Sequence, residues 1–170
     1  MAVVIHHLYI SPGHNFFGRH GMPAATHATV EVEQVTCRAG RGLEGDRFLD
    51  YKEDYKGQIT FFAWETYSAI KAALNVPALP PGAFRRNVLV EGLDLNALIG
   101  RRFHLGGIDF EGTVEAKPCY WMEQAVAPGA EAWLLGRGGL RAKILTDGVL
   151  GKGPAAFAWL GEPNRPADVR

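Results

Sequence analysis

Apolar and polar residues along this chain alternate more often than they recur at helical spacing, and glycine or proline breaks the alternation every few residues. Ala2 to Ile10 is apolar and β-branched and predicts a first strand. Val30, Val32 and Val35 stand among Glu31, Glu33 and Gln34, close to the period-two pattern of a half-buried strand. Ile59 to Phe62 and Val88 to Val90 are further short strand candidates. Phe103 and Leu105 alternate with polar residues up to Gly106-Gly107, after which Ile108 and Phe110 alternate again. Two glycines suit the primed turns of tight hairpins, which require positive φ. Thr113 to Lys117, Arg141 to Leu145 and Phe157 to Leu160 complete the expected strands.

Helical spacing is confined to short stretches. Ala63, Tyr67, Ile70 and Leu74 share one face, closed by Asn75 and Pro77. Asp94 is placed to cap a single turn ending near Leu98, and Pro128 to Leu135 fits a short helix with Gly136 after it. Asn75 to Phe84 reads as a loop inside one core, not as a domain linker. Many short strands with glycine and proline punctuation predict a mainly β barrel or sandwich. Residues 1–160 are expected to form one domain and residues 161–170, polar and proline-containing, a tail.

Composition narrows the function classes. The chain has 170 residues, 47% hydrophobic and 21% charged, enough for an independent core. Lys+Arg and Asp+Glu are 18 each, so overall charge gives no support to nucleic-acid or membrane-surface binding, and any cationic site must be local. No apolar run approaches the ~20 residues of a membrane span. Two distant cysteines do not resemble a secreted disulfide framework. The expectation is a cytoplasmic protein with reduced thiols.

Candidate chemistry gathers around one of those thiols. Cys119 lies in "EAKPCYWM", two residues after Lys117 and next to an apolar wall of Tyr120, Trp121 and Met122. Cysteine is often a small buried hydrophobe, but a thiol near cations tends toward the thiolate, a nucleophile and soft-metal ligand. Cys37 ends an alternating strand and reads as a packed thiol. Arg85 and Arg86 precede a strand; arginine forks bind phosphate or carboxylate bidentately, although adjacent arginines are more often a solvated pair on a loop. Strand alternation would put only one of the pair into a given pocket. Arg137, Gly138, Gly139 and Arg141 form a second basic turn whose backbone N–H groups could approach an anion. "GLEGDRF" contributes Asp46 and Arg47, equally able to tie a turn. His14, His20 and His27 have no zinc spacing. His14 and Asn15 lie in the glycine-rich "PGHNFFGRHG", which reads as a loop over a site.

Taken in order, "GRGLEGDRF" at 40–48, "RRNVLV" and "GLDLNALIG" at 85–100, the segment around Cys119 and "GRGGLRAKILTDGVLGKG" at 136–153 resemble the MOSC domain. That domain is named for the C-terminal region of molybdenum cofactor sulfurase. The resemblance is to stand-alone bacterial-type members and runs from about Ile10 to Gly153. It implies a closed β-barrel with a few peripheral helices. It makes Cys119 a molybdenum ligand or sulfur carrier. It favours Arg86 and Asn87 as site residues, with Arg47, Lys117, Arg137, Gly138, Gly139, Arg141, His14 and Asn15 as further cofactor-binding candidates. Pro154 stands where family members often carry an acidic residue, which predicts a displaced last strand or a different turn there.

Three functions are compatible with this reading. In the first, Cys119 ligates the molybdenum of a molybdopterin whose phosphate is held by arginines and backbone nests, and the metal reduces N-hydroxylated compounds with electrons from a separate reductase. In the second, Cys119 carries a persulfide sulfur from a cysteine desulfurase, or the chain passes on the cofactor, without redox catalysis of its own. In the third, the barrel is a non-catalytic interaction domain. Pyridoxal phosphate belongs to a separate desulfurase domain and is not expected here.

Overall fold

The computed structural model describes residues 2–14 and 26–161. The architecture is mainly β, with helices short and peripheral. β1 (Val3–Ile10) is followed by β2 (Val30–Val32), β3 (Gln34–Arg38) and the two-residue β4 (Gly42–Leu43). β5 (Ile59–Ala63) leads into α1 (Trp64–Ala73), then a 3₁₀ turn (Pro81–Phe84), then β6 (Val88–Glu91). A second 3₁₀ turn (Asn96–Leu98) precedes β7 (Arg102–Leu105) and β8 (Ile108–Glu115). α2 (Trp121–Ala125) and α3 (Ala130–Trp133) come before β9 (Leu140–Ile144), β10 (Gly148–Gly151), β11 (Gly153–Ala155) and β12 (Phe157–Leu160). No helix among the described residues is long and apolar enough to cross a membrane.

Nine strands make the larger sheet, in the order β11-β1-β6-β5-β9-β8-β7-β12, with β2 on β1. The smaller sheet is β10-β3-β4. The β7–β8 hairpin turns at Gly106 and Gly107, with φ of 60° and 91°, and pairs Leu105 with Ile108. β5 and β6 run parallel, linked by α1 and the first 3₁₀ turn. The two ends of the order, β11 and β12, follow one another in sequence across Ala156, whose carbonyl accepts the Gly106 N–H at 2.9 Å. Pro154 sits within β11, opposite Val4. Its place at the end of the strand order suits a residue with no N–H to give.

Two apolar clusters flank the sheet. Phe61, Phe103, Phe110, Ile5, Val88, Leu105, Leu140 and Ile144 form the larger, with edge-on ring contacts from Phe61 to Phe103 and Phe110 at 6.0 and 5.4 Å. Phe62, Leu89, Tyr67, Ile70, Phe84, Met122 and Leu134 form the second under α1, α2 and α3. β5 and β6 are therefore covered on both faces, which is why their residues lack alternation.

Some expected elements differ in extent. Residues 108–110 and 113–117 read as separate strands, but one strand, β8, spans 108–115. Gly112 marks a register shift instead of a break, and the Leu98 carbonyl fills the place a Cβ would need. Within the expected loop of residues 75–84, Pro81–Phe84 winds into a 3₁₀ turn with proline at its start. The expected helix over 128–135 shortens to Ala130–Trp133, and α2 precedes it.

Candidate functional site

Asn87 explains how the sheet delivers the arginines beside it. It is buried at the entry to β6, between β1 and β5. Its side-chain oxygen accepts the Thr60 N–H at 2.9 Å and the Thr60 hydroxyl at 3.0 Å, while its amide donates to the Tyr9 carbonyl at 3.0 Å. All three neighbouring strands are thus tied at one residue. Asn87 does not line the cavity that holds the thiol.

That cavity, about 200 Å³, is lined by His14, Arg47, Ala83, Phe84, Arg85, Arg86, Cys119, Trp121, Met122 and Ala125. Cys119 is exposed, just before α2, whereas Cys37 is fully buried on β3. Burial pushes the Cys37 thiol up to about 12, which keeps it protonated and inert. Both members of the arginine pair line the cavity, contrary to the alternation argument. Arg85 adopts a left-handed backbone (φ 54°) after the 3₁₀ turn, so strand alternation has not begun when it is placed.

The arginines differ in what they hold. Arg85 donates to the Ser11 hydroxyl at 2.8 Å, the Gly13 and His27 carbonyls at 3.0 and 2.9 Å and the Thr29 hydroxyl at 3.0 Å. Arg86 donates to the carbonyls of Phe84 at 3.1 Å, Ala116 at 2.9 Å and Gly138 at 3.1 Å. Burial is the main reason that each guanidinium is pushed down to about 10, with neighbouring arginine charge adding to it. Arg47, also lowered chiefly by burial, has one side-chain hydrogen bond among the described residues, to Asp46 at 3.2 Å. Asp46 is itself engaged, accepting the Ser11 N–H at 2.9 Å and the Phe48 N–H at 3.2 Å. Of the three arginines in this cavity, Arg47 therefore has the least committed donors among the described residues.

An aromatic group frames that side. The Arg47 guanidinium lies 4.7 Å from the Phe48 ring centre, and His14 meets Phe48 and Tyr51 edge-on at 4.9 and 5.8 Å. Burial, then the charge of Arg47, lowers the His14 pKa and favours the neutral ring.

The other candidates lie elsewhere. Arg137 lines a separate cavity with Glu65, Asp94 and Asn96, its guanidinium 4.3 Å from the Trp133 ring centre. The indole on α3 holds it there, so the two basic turns do not meet in one pocket. Gly138 and Gly139 are buried backbone against Ala116, Pro118 and Phe61. Arg141 is outside the thiol cavity, though Arg86 feels its charge. Lys117 is exposed, and Asn15 lies outside the described residues. Among the described residues, no group of three or more His, Cys, Asp or Glu converges as a metal site. Sequence reasoning set Arg85 aside; its signal was the "PPGAF" turn before it, which interrupts the strand pattern.

The molecule is a mainly β fold in which the first 3₁₀ turn and α2 bring an exposed thiol into one cavity with Arg47, Arg85 and Arg86. The chain belongs to the MOSC domain family, whose model matches residues 23–153. That family is associated with molybdenum cofactor binding. The fold is similar to the YuaD protein from Bacillus subtilis, at 19% identity and TM-score 0.73 over 95% of this chain and 98% of that one. It is also similar to YiiM from Escherichia coli, at 16% identity and TM-score 0.65 over 95% and 71% of the two chains. YiiM from Geobacillus stearothermophilus matches at 16% identity and TM-score 0.67 over 94% and 75%. Among curated proteins, no sequence matches this chain.

Proposed function

We propose that this chain binds the molybdenum cofactor at the Cys119 cavity and reduces N-hydroxylated compounds there. The observation that carries the reading is an exposed thiol sharing one cavity with Arg47, Arg85 and Arg86. The donor set fits the group: a soft sulfur for the metal and a charged fork for the pterin phosphate. Arg47 holds the phosphate, because its donors are the least committed. Cys119 supplies the protein sulfur, Arg85 and Arg86 add positive field, and Phe84, Trp121 and Met122 limit water. His14, its ring kept neutral by burial, lies at the same rim. When bound, the cofactor supplies a two-electron centre; reduction of N–OH to N–H consumes two electrons, from a separate reductase, and two protons, and releases water. The same reading takes the larger sheet as a closed barrel whose ends, β11 and β12, are one strand bent at Ala156.

A second reading rests on the exposure of Cys119, which also suits a persulfide carrier loaded by a cysteine desulfurase. The discriminating experiment supplies an electron donor and an N-hydroxylated amidine to cofactor-loaded protein. Turnover in the wild type that disappears in Cys119→Ala supports the enzyme. Undiminished turnover in Cys119→Ala removes the thiol from the reaction. No turnover, together with a sulfane sulfur on Cys119, favours the carrier.

A further inference from the structure

We infer that Arg86 is a positioning residue for Cys119, holding the segment that carries the thiol through backbone carbonyls instead of contacting the ligand. The inference goes beyond the cofactor assignment and does not depend on it. Three carbonyls receive its guanidinium: Phe84 at 3.1 Å from the first 3₁₀ turn, Ala116 at 2.9 Å and Gly138 at 3.1 Å. Ala116 opens the Ala116-Lys117-Pro118-Cys119 connection between β8 and α2. Gly138 packs directly on that connection. A Cβ there would run into the Ala116 carbonyl oxygen and come within 3.0 Å of the Pro118 nitrogen. The Ala116 N–H closes the arrangement by donating to the Gly139 carbonyl at 2.9 Å. One planar cation therefore joins the thiol segment, the glycine turn before β9 and the end of the 3₁₀ turn.

A lysine cannot reproduce this. Its ammonium is a single point on a flexible stem, whereas the guanidinium presents donors along two edges at once. The arginine is needed for its shape as well as its charge. The glycine in "GRGG" is needed for its lack of a side chain, so that the carbonyls of Ala116 and Gly138 can converge on one guanidinium.

The test needs no cofactor. Amide exchange and alkylation of Cys119 by iodoacetamide at fixed pH are compared in a Cys37→Ser background, alone and with Arg86→Lys, Arg86→Met or Gly138→Ala. The Ala116 amide and the Met122 amide, which donates to the Cys119 carbonyl at 2.9 Å, report on the segment. Exchange at these two amides should rise about ten- to a hundredfold, as expected for the loss of one charge-assisted bond. Cys119 alkylation should change with it, and the β7–β8 amides should stay protected. Arg86→Lys should fail to rescue, and Gly138→Ala should give the same local signature with Arg86 intact. Wild-type exchange and alkylation in Arg86→Lys would overturn the inference, as would an equal loss of protection throughout the sheet. Should Arg86→Met fail to fold, Arg86→Lys and Gly138→Ala decide the matter.

Discussion

The two cysteines are chemically unequal because the sheet treats them unequally. Cys37 is enclosed on β3 with its thiol held up at about 12, while Cys119 is open at a cavity rim. A neutral alkylating reagent should modify one thiol in the native protein, lost in Cys119→Ser, and two after denaturation; native labelling at Cys37 would contradict this. His14 carries a pH signature. Its folded pKa is lowered from 6.5, mainly by burial, so the unfolded chain takes up a proton first as pH falls. Stability contributed by the neutral ring is present above 6.5 and is lost as pH drops through the folded value. The thermal midpoint of the wild type should fall more than that of His14→Gln between neutral pH and pH 5.5.

At the scale of elements, the tie between β1, β5 and β6 is concentrated in Asn87. Asn87→Ala removes an acceptor for Thr60 and strands the buried Tyr9 carbonyl, so it should cost about 1–3 kcal/mol in urea unfolding. An unchanged midpoint would mean that the clamp contributes nothing. Local elements were legible in the chain for local reasons. Gly106-Gly107 dictates its own hairpin, and Tyr67 and Ile70 sit on one face of α1. The site was less legible because it depends on backbone at special φ and on distant partners. Arg85 escapes alternation through its left-handed backbone, and Arg137 is diverted by a tryptophan four residues earlier. Nothing in "RRN" says that Arg86 will meet the carbonyls of residues 116 and 138. Gly112 looks like a breaker in sequence and is a bulge in the sheet.

The molecule as a whole separates its core from its chemistry. Phe61, Phe103 and Phe110 fill the larger cluster, and the thiol cavity opens beside the second, smaller one. Phe110→Ala should cost about 3–5 kcal/mol by transfer and cavity terms without altering which thiol is labelled. With zero net charge overall, the arginines gathered at one cavity supply locally the positive charge that the proposed anion site needs. We propose that this cavity holds the molybdenum cofactor, with Arg47 on the phosphate and Cys119 on the metal. The most direct test is molybdenum and pterin content in protein purified from a cofactor-competent host, for the wild type, Arg47→Met and Cys119→Ala. The wild type should carry bound pterin and molybdenum. Arg47→Met should lose affinity by roughly one to two decades, as expected for one charge-assisted contact, and Cys119→Ala should keep its pterin. Wild-type protein without pterin, or full occupancy in Arg47→Met, would contradict it.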